Sequence, residues 1–249
     1  MIYSLARQRK FDFCRRAFYF QYELSEISPW RSDLVKWILD LRFQKEAHLA
    51  IYSLLVKGLR KAFYEHGLSH RKILRDLYAQ ALSMGVSERE FRELGDRLRS
   101  FTESEFYQKT AEYRVNYVPT DEVESVFIGD VELLGKVDFA WFESCGTLHL
   151  VNYGSRGERD LSFAVHYALK KHHVTPAHLN IGTLYEREGQ WQVNWQEIDW
   201  GAFEELQEAA LSFELPSGVE GFSLTEDGTR CQNCRFQRVC DEFSADLEV

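Results

Sequence analysis

The sequence predicts an α/β (α+β) fold, in which a helical region precedes a β-rich core and a cysteine-containing tail. Helix-capping residues and apolar residues at helical spacing recur along the first half of the chain. Short β-rich runs separated by turn residues follow Pro119. Three of the five cysteines then fall between positions 231 and 240. With 45% hydrophobic residues among 249, the chain is large enough to bury one substantial core.

Four helices are predicted in the first half, each from residues that commonly begin a helix. Ser87 and Glu90 have the spacing of a capping box, in which each side chain bonds the backbone N–H of the other residue. Ser4 and Ser69 are predicted N-caps. The predicted helices run from Ser4 to about Glu23, from Ser32 past Leu55, onward from Ser69, and from Ser87 towards Phe106.

After Pro119 the sequence predicts elements in the order β-β-β-α-β-β-α. Glycine-containing turns, among them Gly129–Asp130 and Glu188–Gly189, separate the strands. The predicted strands are 122–128, 131–142, 147–153, 178–187 and 191–195, and the predicted helices are 160–173 and 200–212. The order indicates an α/β core of residues 119–215 with a helical subdomain, 30–118, attached to it within a single domain, 1–249.

Composition and charge narrow the class of protein. No apolar run approaches the roughly 20 residues needed to span a bilayer, and the N-terminus has no apolar signal core. We therefore expect a cytoplasmic protein without membrane contact. The net charge of −9 disfavours indiscriminate binding to DNA. Basic residues nevertheless concentrate near the N-terminus; such a run is most often a solvated surface, and as a nucleic-acid contact it would use Arg7, Arg9, Lys10, Arg15 and Arg16.

The cysteines indicate a metal centre rather than a disulfide framework. Cys231, Cys234 and Cys240 have the spacing C-x2-C-x5-C, which lets three thiolates turn towards one centre. A protein-closed site needs a fourth ligand, for which Cys14 and Cys145 are the candidates. Taken alone, Cys14 is typical of a small buried apolar residue and Cys145 of a turn. Spacing alone is compatible with zinc or with an iron–sulfur cluster.

The surroundings of the cysteines carry a family resemblance. An N-terminal helix of the form S-x(n)-F-x-x-C-R-R-x-F-Y-F, followed by C-x2-C-x5-C near the C-terminus, resembles the iron–sulfur branch of the RecB-like PD-(D/E)XK nucleases. That branch includes the AddB nuclease domain and the RecB-type exonucleases of CRISPR adaptation. The resemblance spans nearly the whole chain, although 60–118 matches only as generic helix. The matching residues are Ser4, Phe11, Cys14, Arg15, Arg16, Phe18, Tyr19, Phe20, Cys231, Cys234 and Cys240.

The resemblance implies a restriction-endonuclease-like PD-(D/E)XK core and a [4Fe–4S] cluster. The cluster would be held by cluster-binding ends, 1–25 and 216–245, and would join the two ends of the chain in a structural role. Its implied ligands are Cys14, Cys231, Cys234 and Cys240.

The implied nuclease site is incomplete. His48 stands at the position of the helical histidine, and Asp138 matches the first acidic motif, G-x-x-D. In the family these groups, with a second carboxylate, hold Mg²⁺ or Mn²⁺, and a lysine positions the attacking water. The run LHLVNYGSR places Asn152 at the second acidic position and Gly154 at the lysine position. Phe163 likewise stands at the position of the family glutamine, counted back from Tyr167.

A displaced residue could restore the missing groups. Lys136 lies two residues before Asp138 and is expected on the same strand face, since side chains alternate along a strand. Glu124 or Glu132 could supply a second carboxylate. A divalent ion is expected only if such a replacement keeps the site active.

Three functions are consistent with the sequence. The first is a degenerate, catalytically inactive nuclease-like protein that acts as a DNA-binding or structural subunit in DNA repair, phage defence or CRISPR-type processing. The second is an active Mg²⁺- or Mn²⁺-dependent DNA exonuclease with a rearranged site. The third is a protein-interaction subunit without DNA contact, favoured by the net charge and by the acidic run after Cys240. The expected partners are DNA, as single strands or duplex ends, and a protein.

Overall fold

The structure is a computed structural model of the chain, and it describes residues 1–24, 32–43, 47–154, 161–217, 221–232 and 234–240. The fold is mixed α/β. Two compact units are present: the first comprises Met1–Ile2 and Lys45–Leu211, and the second comprises Tyr3–Gln44 and Ser212–Val249.

The helices and strands follow the predicted order, with several changes at their ends. In chain order the α-helices are α1 (Leu5–Phe13), α2 (Arg15–Phe18), α3 (Ser32–Phe43), α4 (Ala47–Tyr64), α5 (His70–Ser83), α6 (Glu88–Thr102), α7 (Glu105–Thr110), α8 (Ser162–Lys171), α9 (Trp200–Ser212) and α10 (Gly228–Gln232). The strands are β1 (Ile2–Tyr3), β2 (Glu124–Ile128), β3 (Val131–Gly135), β4 (Phe139–Phe142), β5 (Leu148–Tyr153), β6 (Leu179–Arg187) and β7 (Gln190–Gln196).

The capping predictions are confirmed. The Ser4 and Ser69 hydroxyls accept hydrogen bonds from the backbone N–H groups of Arg7 and Lys72. Ser87 and Glu90 form both bonds of the capping box at the start of α6. The prediction of one helix from Ser4 to Glu23 is wrong in one respect. Cys14, with an extended backbone at φ −166°, interrupts the helix between α1 and α2.

Two sheets form the centre of the first unit. One has the strand order β1-β3-β2, in which β2 and β3 are an antiparallel hairpin. The other has the order β4-β5-β6-β7; β5 and β6 are parallel and the remaining pairs are antiparallel. The connection from β5 to β6 contains α8, as a parallel crossover requires.

The predicted strand 131–142 is two strands rather than one. β3 pairs with β2 in the first sheet, whereas β4 pairs with β5 in the second. Lys136, Val137 and Asp138 link them and belong to neither strand. The expectation that Lys136 and Asp138 share a strand face is therefore wrong, because the chain changes sheets between Gly135 and Phe139.

Both faces of the β4–β7 sheet are covered within the first unit. The face that carries Trp141, Val151 and Tyr153 packs against helices α4 to α7 in one apolar cluster. Close helix packing depends on small residues: a Cβ at Gly58 would lie 2.7 Å from the Leu98 side chain. Helix α8 contacts β2, β3 and β6.

The second unit contains α1, α2, a π-helical turn (Tyr19–Glu23), α3 and α10. Its core combines residues from both ends of the chain. The buried members of this core are Cys14, Ala17, Phe20, Leu24, Leu34, Val35, Ile38, Phe236 and Val239. In neither unit is any described helix both long and apolar enough to cross a membrane.

Candidate functional site

Four cysteines of the second unit line one cavity of about 150 Å³. They are Cys14 from the N-terminal end and Cys231, Cys234 and Cys240 from the C-terminal end. Phe13, Ala17, Phe20 and Phe236 supply much of the remaining, apolar wall. These four are the residues that the sequence resemblance assigns to the cluster, and the fold brings all of them to one place.

The interruption between α1 and α2 determines where Cys14 lies. Its backbone N–H still donates to the Lys10 carbonyl at the end of α1, while its extended conformation ends the helix. Its Sγ then accepts a hydrogen bond from the Ala17 N–H, at 3.5 Å, so the sulfur caps α2.

Short turns bring the C-terminal cysteines together. The Cys234 N–H donates to the Cys231 carbonyl at 3.0 Å, which closes the C-x2-C segment, and the Cys240 N–H donates to the Phe236 carbonyl at 2.9 Å. The Arg230 guanidinium joins this segment to the N-terminal end, because its Nη1 donates to the carbonyls of Asp12 and Phe13 at 2.9 and 3.1 Å.

The donor set and the cavity are compatible with a multi-iron cluster. All five cysteines are outside disulfides. Among the described side chains, no group of three or more His, Cys, Asp or Glu residues is arranged to hold one metal ion. Four cysteines are a donor set that either zinc or an iron–sulfur cluster uses.

The cavity beside the four cysteines is larger than a single water molecule needs. A volume of about 150 Å³ is well above the roughly 15 Å³ that one water molecule needs. Aromatic rings pack behind it: Phe20 meets Phe236 edge to face, with ring centroids 5.5 Å apart. Such apolar walls limit the access of water to a metal centre.

Cys145 has a different place. It lies in the first unit, exposed, in the turn between β4 and β5. Its Sγ is 3.2 Å from the Thr147 hydroxyl. This position matches the turn that the sequence predicts.

The five basic residues near the N-terminus differ in exposure and in their partners. Arg7 donates to the Glu23 carboxylate at 2.6 Å and lies over the rings of Phe18 and Tyr22, and Arg16 is buried, with its Nε donating to the Phe222 carbonyl at 2.8 Å. These two side chains hold the second unit together. Lys10 is half-buried beside aromatic rings, and burial lowers the pKa of its amine. The two exposed members are Arg9 and Arg15.

Asp138, which the sequence resemblance places at the first acidic motif, is 2% exposed, and its carboxylate accepts a backbone hydrogen bond. Its Oδ2 accepts from the backbone N–H of Tyr153 at 2.9 Å. The Arg60 Nη1 lies 4.0 Å from its Oδ1. Arg60 also donates to the carbonyls of Thr120, Asp121 and Val137, so its guanidinium ties together the chain around the carboxylate.

Asn152 completes this arrangement from β5. Its Oδ1 accepts from the Asp138 N–H, and its Nδ2 donates to the Lys136 carbonyl, each at 2.9 Å. The side-chain amide thus clamps both ends of the three-residue link between the sheets. An aspartate could make the first bond but not the second, because an ionised carboxylate only accepts hydrogen bonds.

The other residues that the sequence resemblance assigns to a nuclease site have structural roles where the structure describes them. The Gly154 N–H donates to the Leu184 carbonyl at 2.9 Å. Phe163 packs so closely over Gly135 that a Cβ there would lie 2.1 Å from the ring. Glu124 is buried and bonded to Lys171 at 2.5 Å. The His48 side chain lies outside the described part of the structure.

As they stand, these groups do not fit a divalent-cation site. The Asp138 carboxylate already has a backbone donor and a guanidinium beside it, and Lys136 contributes a carbonyl to the Asn152 amide. The sequence analysis did not identify Arg60. The sign of it in the sequence is a basic residue directly after Leu59, which is fully buried on α4. Tyr64 was also missed; its hydroxyl accepts from the Ala140 N–H, and its pKa is raised to about 12 by burial.

Comparison with models of protein families and with curated proteins finds no match to this chain.

Proposed function

We propose that this protein is an iron–sulfur protein with a PD-(D/E)XK nuclease-like fold whose nuclease site has become a structural clamp. It acts as a DNA-binding or structural subunit in DNA repair or phage defence of the CRISPR type, without cleaving DNA itself. The observation that carries the proposal is the cavity lined by Cys14, Cys231, Cys234 and Cys240, one ligand from one end of the chain and three from the other.

The cavity supports a cluster with a structural role. Its cysteines come from segments more than two hundred positions apart, so a bound [4Fe–4S] cluster adds a further link between chain ends that already meet in an apolar core and in the contacts of Arg16 and Phe18 with Phe222. When bound, the cluster supplies four iron–thiolate bonds, and this chain supplies the thiolates and the apolar wall.

The environment of Asp138 supports the absence of catalysis. A metal-dependent nuclease needs carboxylate oxygens open to the ion and a cation near the attacking water. Here the carboxylate faces Arg60 and the Tyr153 N–H, and the position that would hold a second carboxylate has the Asn152 amide.

A protein-interaction role without DNA is the second candidate, and one observation favours it. Of the five basic residues that could contact phosphates, Arg7 and Arg16 are committed to partners inside the second unit. DNA contact at this end would then depend on Arg9, Arg15 and the half-buried Lys10.

The cluster is tested by purification without oxygen. We expect about four irons and four sulfides per chain, with the broad visible absorption of iron–thiolate centres. Cys14→Ser should lose most of the iron, and Cys145→Ser is the matched control that should keep it. Stoichiometric zinc in place of iron, or equal iron in both variants, contradicts the assignment.

Catalysis and DNA binding are tested separately with the same protein. With Mn²⁺ and either single-stranded or duplex DNA we expect no cleavage above a buffer control. Cleavage that Asp138→Asn abolishes would show that the site is active and that the clamp interpretation is wrong.

Salt titration of DNA affinity separates the two remaining roles. If Arg9 and Arg15 contact phosphates, the double substitution to alanine lowers the slope of log affinity against log salt by about 2. Arg71 and Arg75, exposed on α5, provide the control pair. A wild-type protein that does not bind DNA at low salt favours the protein-interaction role.

A further inference from the structure

Strand β7 is the outer strand of the β4-β5-β6-β7 sheet, and one of its edges is open among the described residues. It pairs with β6 along its whole length, from Arg187↔Gln190 to Ile181↔Gln196. No described residue outside β6 makes a backbone hydrogen bond to Trp191, Val193 or Trp195. A row of unpaired N–H and C=O groups is a template for another strand.

The hairpin turn shows which residues of β7 direct their backbone N–H and C=O groups away from β6. Glu188 and Gly189, with φ of 54° and 77°, form a two-residue loop of the primed type, which makes Arg187 and Gln190 a hydrogen-bonded pair. Bonding then alternates along an antiparallel strand. Gln190, Gln192, Asn194 and Gln196 therefore bond to β6, and Trp191, Val193 and Trp195 direct their backbone groups away from the sheet.

The strand lacks the features that usually protect an edge. It contains no lysine, no proline and no charged residue of any kind. Its pairing with β6 runs without a gap, so no bulge twists it away.

The sequence of β7 is nearly the same in both directions. Read from Val193 outward, Gln192 is matched by Asn194, Trp191 by Trp195, and Gln190 by Gln196. When two copies of a strand pair antiparallel about a two-fold axis, residues at equal distances on either side of the axis lie opposite each other. A palindromic sequence therefore places like residues opposite each other. The one difference, Gln against Asn, keeps the same amide chemistry.

The centre of the palindrome is Val193, one of the residues whose backbone N–H and C=O groups point away from β6. With the axis at Val193, the pairs Val193–Val193, Trp191–Trp195 and Trp195–Trp191 are all hydrogen-bonded pairs, which gives about six backbone hydrogen bonds. An axis midway between two residues would place these groups opposite residues that bond to β6 and leave them unpaired, and an axis at another residue would shorten the pairing. Because each chain carries a net charge of −9, an uncharged contact strand also avoids repulsion at the interface.

We propose that two copies of this chain associate through antiparallel pairing of their β7 edges, with the two-fold axis at Val193. The contact continues the four-stranded sheet of each copy into an eight-stranded one. It is independent of the cluster and of any contact with DNA.

The test uses charges that sense the register. In the proposed pair, Gln192 lies opposite Asn194 of the second copy, and cross-strand like charges oppose pairing whereas opposite charges favour it. The variant Gln192→Lys with Asn194→Lys places lysine opposite lysine twice. The variant Gln192→Lys with Asn194→Glu places lysine opposite glutamate twice, at the same exposed positions.

Sedimentation equilibrium from about 1 to 100 µM measures the outcome, a range that detects micromolar dissociation constants. We expect wild type and the lysine–glutamate variant to reach twice the 29.3 kDa chain mass, and the lysine–lysine variant to stay at 29.3 kDa. Matching thermal melts show that both variants are folded. A monomeric wild type, a dimeric lysine–lysine variant, or a monomeric lysine–glutamate variant overturns the proposal; the first result would leave the edge to a strand of another protein.

Discussion

At the scale of single residues, the clearest feature is that one amide serves as both donor and acceptor. Asn152 accepts from the Asp138 N–H and donates to the Lys136 carbonyl, so both polar atoms of its side chain have partners in a buried place. A carboxylate at the same position would face a carbonyl oxygen and lie near the Asp138 carboxylate. An aspartate at position 152 therefore opposes the local structure.

We expect Asn152→Asp to lower the free energy of unfolding by about 3 kcal/mol at pH 7, because it leaves a buried charge opposite an acceptor. Burial raises the pKa of the new carboxyl, and a protonated carboxyl can donate to the Lys136 carbonyl. Folding then takes up a proton, so the deficit should shrink as pH falls from 7 to 5.

Chemical denaturation at the two pH values provides the measurement. Asn180→Asp, at an exposed position of β6, is the control and should change stability by no more than about 0.5 kcal/mol. A deficit for Asn152→Asp that does not change with pH would point to lost packing rather than to charge.

At the scale of elements, helix α4 supplies hydrogen-bond donors to irregular segments of the chain. The segments around Thr120 and Val137 lie outside regular strands, so their carbonyls need donors from elsewhere. Arg60 supplies them to Thr120, Asp121 and Val137. One buried guanidinium thus connects α4 to the chain on both sides of the β2–β3 hairpin.

We expect Arg60→Met to cost about 3 kcal/mol, because it keeps much of the side-chain volume but removes the guanidinium beside the buried Asp138 carboxylate and the donor to three carbonyls. Arg89→Met removes an arginine from an exposed pair with Glu93 on α6 and should cost about 0.5 kcal/mol or less. Urea titrations of the two variants and the wild type measure the difference. Equal losses would contradict a special role for Arg60.

At the scale of the whole molecule, the chain has a sheet-containing unit and a unit made from its two ends. The second unit has a much smaller described apolar core than the first. A small core contributes little stability, and proteins with such cores often depend on a metal centre. The proposed cluster would therefore matter most for the second unit.

Hydrogen exchange checks this difference between the units. In Cys14→Ser, we expect peptides from α1, α2 and α10 to lose most of their protection, while β5 and β6 keep theirs. Cys145→Ser should exchange like the wild type throughout. Loss of protection in β5 and β6 as large as that in α1 would show that the cluster does not stabilise one unit selectively.

The sequence by itself determined features whose bonds join residues close along the chain. The caps at Ser4, Ser69 and Ser87 and the turn at Glu188–Gly189 depend on groups three or four residues apart, and residue type is enough to predict them. The spacing of the C-terminal cysteines is local in the same sense. Binding of the cluster and loss of the nuclease activity stay predictions.

Only the tertiary structure decided which distant groups meet. It divided the predicted strand 131–142 between two sheets, placed Arg60 beside Asp138, and gave Arg16 a partner at Phe222, 206 positions away. It also interrupted the first helix at Cys14, where capping signals alone predict continuity. The physical reason is that a charged or polar side chain takes whichever partner the packed chain brings within about 3 Å, and no periodicity in the sequence records that partner.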